Sequence, residues 1–211
     1  MKKINIQMAL MWIFAILPSI VLAMIYKALP EKVVIHIGIN GSLRYGDKKT
    51  LWILSAISIF IAILFVLLRE KAIKETKDFN NEYYAVGLSI VIFMFGMIII
   101  TILNAFKIDI LPIQNVVCFC FAILFGVLGS IIKRGSTLKI MNRWTKRDYI
   151  VLEKTKKLAG EVFVIGALIQ AIATIFTTNR VLFIIIVGVV VFSAIIPNIA
   201  SYIWYKKRHK K

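Results

Sequence analysis

Histidine, cysteine and acidic side chains are scarce in this chain, and its long apolar runs carry almost no charge. Two histidines, His36 and His209, and two cysteines, Cys118 and Cys120, stand among 211 residues. Two histidines cannot make a His-Glu-x-x-His zinc motif, and no catalytic triad or zinc set can be assembled from this inventory. The cysteines lie two apart in an apolar run, so a helix points them to different faces. They read as inert small hydrophobes and not as a disulfide or metal frame. No Asp, Glu, Lys, Arg or His falls in the middle of an apolar run. Each would cost about 2.5–3.5 kcal/mol there and would mark a proton relay or a catalytic group. The expectation is a protein that is not an enzyme and uses no cofactor and no metal.

What is abundant is hydrocarbon. Apolar side chains make up 60% of the chain and the mean hydropathy is +0.87. The apolar runs reach bilayer-spanning length, and they do not alternate polar with apolar as barrel strands would. Six transmembrane helices are expected, over Ile6–Leu29, Leu51–Leu68, Tyr84–Leu103, Leu111–Ile132, Val162–Phe176 and Val181–Trp204. The fold class is therefore an all-α membrane protein, a single six-span domain over residues 1–211. The first run is too long for a signal peptide and lacks a cleavage site, so it reads as a retained span. Pro18 and Pro197 are expected to kink the first and last spans. Tight turns at Asn104–Ile110 and Thr177–Arg180 should join antiparallel pairs.

Orientation follows from the basic residues. Of 27 Lys and Arg, 20 fall at the amino terminus, in the 69–83 and 133–159 loops and in the tail, whereas six fall in the loops of the other side. That bias predicts both termini in the cytoplasm and the loop of residues 29–50 outside. It also accounts for the net charge of +17 through anionic membrane lipids, with no direct nucleic acid partner. Within the spans, Gln170, Asn115, Asn104, Thr101 and Asn198 read as interhelical hydrogen bonders, and Ala167-x-x-x-Ala171 as a site of close helix approach. Glu161, at the mouth of the fifth span, has Lys157 four residues earlier as its expected partner.

Two loops rise above this background. In the outer one, Pro30 should end the first helix, Val33-Val34-Ile35 favours a strand, and Gly38, Asn40-Gly41 and Gly46-Asp47 offer turn chemistry. The expectation is a compact element, with a hairpin as one form, that either meets a ligand or simply connects two spans. In the inner loop, residues 133–160, Thr145-x-x-Asp148 has capping-box spacing, with Trp144 and Tyr149 placed as a hydrophobic staple. Val151, Leu152, Thr155, Leu158, Ala159 and Val162 then recur at helical spacing, with Lys146, Arg147, Lys154 and Lys156 mostly off that stripe. This predicts an amphipathic cytoplasmic helix before the fifth span, lying on anionic lipid or docking a partner.

Those same loops carry a resemblance. Leu29-Pro30-Glu31-Lys32-Val33-Val34-Ile35-His36, then Gly41 and Arg44-Tyr45-Gly46-Asp47-Lys48, is similar to the outer motif of the SdpI family, with Val34 in place of a second proline. Trp144, Thr145, Asp148, Lys154, Thr155, Lys157 and Gly160 match the family's inner motif in register, while Lys139-Ile140-Met141-Asn142-Arg143 replaces its Gly-Ile-Arg-Thr-Pro. The resemblance implies a six-span immunity protein that gives resistance to a secreted peptide toxin. It further implies a toxin sensor that holds a cytoplasmic transcriptional repressor at the membrane. Pro30, His36, Gly41, Arg44, Tyr45, Gly46, Asp47 and Lys48 would face the toxin. Trp144, Thr145, Asp148, Lys154, Thr155 and Lys157 would face the cytoplasmic partner or lipid. A small transporter or exporter subunit is the alternative, against which the charge-free spans argue.

Overall fold

The computed structural model describes residues 5–38, 40, 42–76, 82–108, 112–134, 142–177 and 180–209. Its helices are α1 (Ile6–Ile25), α2 (Thr50–Thr76), α3 (Glu82–Ala105), α4 (Ile113–Arg134), α5 (Tyr149–Phe176) and α6 (Arg180–Arg208). All six are long and apolar enough to cross a membrane. Between α1 and α2 stand two strands, β1 (Lys32–Ile37) and β2 (Leu43–Asp47), paired antiparallel. The chain is thus mostly helical, and its 29–50 segment takes the hairpin form that its β-branched run allowed.

Several helix ends differ from the hydropathy boundaries. The first helix stops at Ile25, not at Pro30, and a turn returns the Leu29 N–H to the Ile25 carbonyl at 3.2 Å. Leu29 is then free to bury its side chain beside Val33, Leu22, Leu51, Ile98 and Ile102. Helices α2, α5 and α6 run several residues past the apolar windows into charged sequence. At 27, 28 and 29 residues they exceed the roughly 20 needed for the hydrocarbon core, so their ends project beyond it. Pro18 and Pro197 both sit inside continuous helices.

The helices pack as two trios. Helices α1, α2 and α3 share one core around Met11, Ala15, Ala62 and Val91. Helices α4, α5 and α6 share another around Phe125, Ala167 and Val189. A run of rings crosses the seam, from Phe93 on α3 to Phe121 on α4 at 4.7 Å, then to Phe125 and to Phe163 on α5. Large side chains such as Phe60, Ile175 and Phe192 point outward, as lipid contact requires.

Backbones approach closely where α4 crosses α5. A Cβ on Gly160 would stand 2.5 Å from the Gly129 carbonyl oxygen and 2.8 Å from the Lys133 nitrogen. Ala167 lies further along the same contact, beside Gly126, so two glycines rather than the alanine pair set the separation. Glu161 pairs there with Lys133 on α4 at 3.1 Å, not with Lys157. Polar rungs continue the contact deeper in. Gln170 Nε2 donates to the Cys118 carbonyl and Asn115 Nδ2 to the Thr174 carbonyl, each at 2.7 Å.

Candidate functional site

The hairpin grows from its sequence in a legible way. Val33 and Val34 are both buried, Val33 into the core of the first trio. Gly46 pairs with Val33, and a Cβ there would stand 2.5 Å from the Ile35 Cδ1 methyl, which would have to shift. Gly46-Asp47 therefore belongs to β2 and is not a turn. The connection runs through Gly38 and Ser42, where Asn40 Oδ1 accepts from the Ser42 N–H and hydroxyl. Gly41 lies outside the described residues. A bulge at Ile35 shifts the register, so that His36 pairs with Arg44 and Val34 with Tyr45.

Of the residues expected to face a ligand, Pro30, His36, Arg44, Tyr45 and Asp47 are exposed. Lys48 is not, and this corrects the expectation. Its ammonium is 3.0 Å from Glu31 and 3.2 Å from the Leu29 carbonyl, and it lies over the Tyr26 ring at 4.9 Å. It clamps the base of the hairpin to the end of α1. Asp47 has a local task as well, accepting from the Lys49 N–H at 2.8 Å.

A cavity of about 780 Å³ opens between the hairpin and the facing ends of α3 and α4. Lys32, Val34, Leu43 and Tyr45 line it from the hairpin side, and Asn104, Lys107, Pro112 and Gln114 line it from the other. Lys107 holds a left-handed backbone, φ 58°, just past the end of α3. Periodicity alone could not reveal this cavity, because its two walls, Pro30–Tyr45 and Asn104–Gln114, lie far apart in sequence.

At the opposite end of the bundle the inner motif is built differently from its expectation. Asp148, not Thr145, is the N-cap of α5, with its carboxylate accepting from the Ile150 and Val151 N–H groups. Thr145 is buried in the preceding turn, where Asn142 Oδ1 accepts from the Trp144 and Thr145 N–H groups. The amphipathic stretch is no separate interfacial helix. It forms the first turns of α5, and Val151, Leu152, Thr155 and Ala159 are buried against protein. Lys156 also sits on that buried stripe, 3.1 Å from Glu153. Lys154 and Lys157 are exposed, whereas the Thr155 hydroxyl is spent on the Val151 carbonyl.

This motif is tied to the end of α6. Asn142 Nδ2 donates to Asn198 Oδ1 and Ser201 Oγ, both at 2.8 Å. The Trp144 ring packs between Tyr202 and Tyr205, and Arg208 Nε donates to Asp148 Oδ2 at 2.8 Å. Burial pushes the Asp148 carboxyl up, but the Arg208 bond and charge and the two backbone N–H groups outweigh it and hold the group below its ordinary value. Sequence reading missed Asn142, Tyr202, Tyr205 and Arg208, whose only signal is polar and aromatic residues at a helix end. Among the described residues no cluster of three His, Cys, Asp or Glu is placed to hold a metal ion.

The chain is 25% identical over 210 residues to Immunity protein SdpI of Bacillus subtilis (strain 168), across 98% of each chain. No family model matches the chain. No solved structure matches it.

Proposed function

From its membership of the SdpI family, which the end-to-end likeness to Immunity protein SdpI supports, we infer that this multi-pass membrane protein confers resistance to a secreted antimicrobial peptide. That likeness is the observation that carries the reading. In this reading the termini and the inner motif lie in the cytoplasm and the hairpin outside, which the bias of 20 basic residues against six supports. Protection is non-enzymatic. His36 and Arg44, paired and exposed on the hairpin, meet the peptide from outside, while Lys146, Arg147, Lys154 and Lys157 rest against anionic lipid.

Expression in a sensitive bacterium, followed by challenge with secreted peptides of producer strains, tests the reading. Survival should rise with the wild-type chain and fall back in a His36→Ala, Arg44→Ala variant. Equal killing with and without the protein across those peptides would refute it. Thiol labelling of intact cells, in a chain with Cys118 and Cys120 changed to Ser, tests the orientation. Ser42→Cys should react from outside and Arg147→Cys only after lysis; the reverse order would overturn the topology.

A second reading, a sensor, is favoured by one observation: the inner motif is bonded to the tail of α6 through Asp148–Arg208 and Trp144. A helix shift triggered outside would reach the basic end through α6. The reading predicts peptide-dependent recruitment of a cytosolic DNA-binding protein, lost in Asp148→Ala. Crosslinking at Lys154 that captures no such protein in the presence of peptide would remove it.

A further inference from the structure

The hairpin has one guarded edge and one open edge. Strand β1 lies against α3, whereas β2 pairs with β1 alone among the described residues. The ladder is pinned at both ends. The Lys48 N–H donates to the Glu31 carbonyl at 3.1 Å, and the Gly38 N–H to the Ser42 carbonyl at 2.7 Å. Antiparallel pairs alternate between bonded and non-bonded, which makes Val33 and Gly46 the next bonded pair from the Glu31 end. The bulge at Ile35 then restores the phase needed at Gly38. By that alternation the main-chain groups of Leu43, Tyr45 and Asp47 point away from β1. They form an unpaired row two residues apart on an exposed strand.

The same register turns the side chains of Leu43 and Tyr45, with Val34 and Lys32 of β1, toward the cavity of about 780 Å³. That volume falls within the range of about 300–1,000 Å³ of ligand pockets. Two lysines, Lys32 and Lys107, line it, and no carboxylate does among the described residues. Lys107 holds a left-handed backbone that glycine would take without strain, so backbone geometry alone does not call for lysine there. Val34, Leu43 and Pro112 beside two exposed lysines suit an apolar side chain flanked by a carboxylate.

We propose that β2 is the docking edge for an extended peptide segment that adds as a third strand while one of its apolar side chains, with an acidic neighbour, enters the cavity between the hairpin and the facing ends of α3 and α4. Main-chain bonds to Leu43, Tyr45 and Asp47 supply affinity, and the cavity with Lys32 and Lys107 supplies selectivity. The inference rests on the resistance reading only for the source of the peptide, a secreted one.

The test uses the full chain in lipid nanodiscs and a positional-scanning library of fluorescent heptapeptides. Wild type should select an apolar residue beside Asp or Glu. N-methylation of alternate peptide amides should abolish binding. Tyr45→Pro removes one outward N–H at an edge position that tolerates proline, and should weaken binding about threefold to tenfold, whereas Tyr45→Val, which keeps the N–H, retains the main-chain contribution. A Lys32→Glu, Lys107→Glu variant, which leaves the β2 edge untouched, should shift the preference toward Lys and Arg. Hydrogen exchange of the Val33 and Gly46 amides reports hairpin seating; if Tyr45→Pro alters it, the charge-reversal result decides. Binding without sequence preference, or binding indifferent to N-methylation and to both variants, overturns the proposal. So does an Arg44→Cys cross-link between two copies that Tyr45→Pro abolishes, which would assign the edge to self-association. In cells, edge variants that protect as well as wild type would sink the docking edge and leave resistance standing. Wild-type binding without protection would do the opposite.

Discussion

Replacing Lys48 with methionine keeps the apolar stem of the side chain and deletes its ammonium. In the folded protein the Lys48 side chain is 12% exposed and its ammonium serves three partners: the Leu29 carbonyl, the Glu31 carboxylate and the Tyr26 ring. A charged hydrogen bond to a carbonyl is worth about 1.5–3 kcal/mol, and a cation over a ring about 0.5–1 kcal/mol. Glu31 is 85% exposed, so its ion pair adds only about 0.2–1 kcal/mol. The contributions share one group and do not sum, and about 2 kcal/mol is the expected loss. The loss is local, because Lys48 joins the hairpin base to α1 while the spans pack without it. Hydrogen exchange of the Val33 and Gly46 amides should therefore quicken about 30-fold in Lys48→Met, with span amides unchanged. Lys49→Met, at a side chain 79% exposed, should alter exchange less than about twofold. Unchanged exchange at Val33 and Gly46 in Lys48→Met would refute the clamp.

Gly160→Ala should destabilise the α4–α5 contact by about 1–3 kcal/mol, since its methyl would meet the backbone of Gly129 and Lys133. Gly188→Ala, with nothing within 4 Å, should be neutral or gain up to about 1 kcal/mol, and thermal unfolding in nanodiscs compares the two. Gln170→Leu should cost less than about 1 kcal/mol by the same assay. It loses one bond to the Cys118 carbonyl but also removes a buried Oε1 with no partner among the described residues. The Asp148 carboxyl is held below its ordinary value of 3.8, so its tie to Arg208 should be intact at neutral pH and weaken only as pH falls through the lowered value. Trp144 fluorescence, with Trp12, Trp52 and Trp204 changed to Phe, should show no transition between pH 7 and pH 5, and Asp148→Asn should remove the acid transition.

The spans were legible because hydrocarbon solvent imposes a simple rule: run length and the absence of charge decide what crosses. Val33-Val34-Ile35, followed by glycines and Asn40, likewise announced a β element by local preference. The amino-acid sequence could not say where charged ends stop being helical. Residues such as Lys154 and Arg208 favour helix but are as common in solvated loops, and hydropathy ends where they begin. Nor could it separate Asp148 from Thr145 as the cap, since both are good capping residues and the tie to Arg208, 60 residues on, favours one. Lys48, Lys156 and the cavity wall at Lys107 were decided by tertiary structure alone. What surrounds a lysine depends on segments distant in the chain, and no local pattern encodes that.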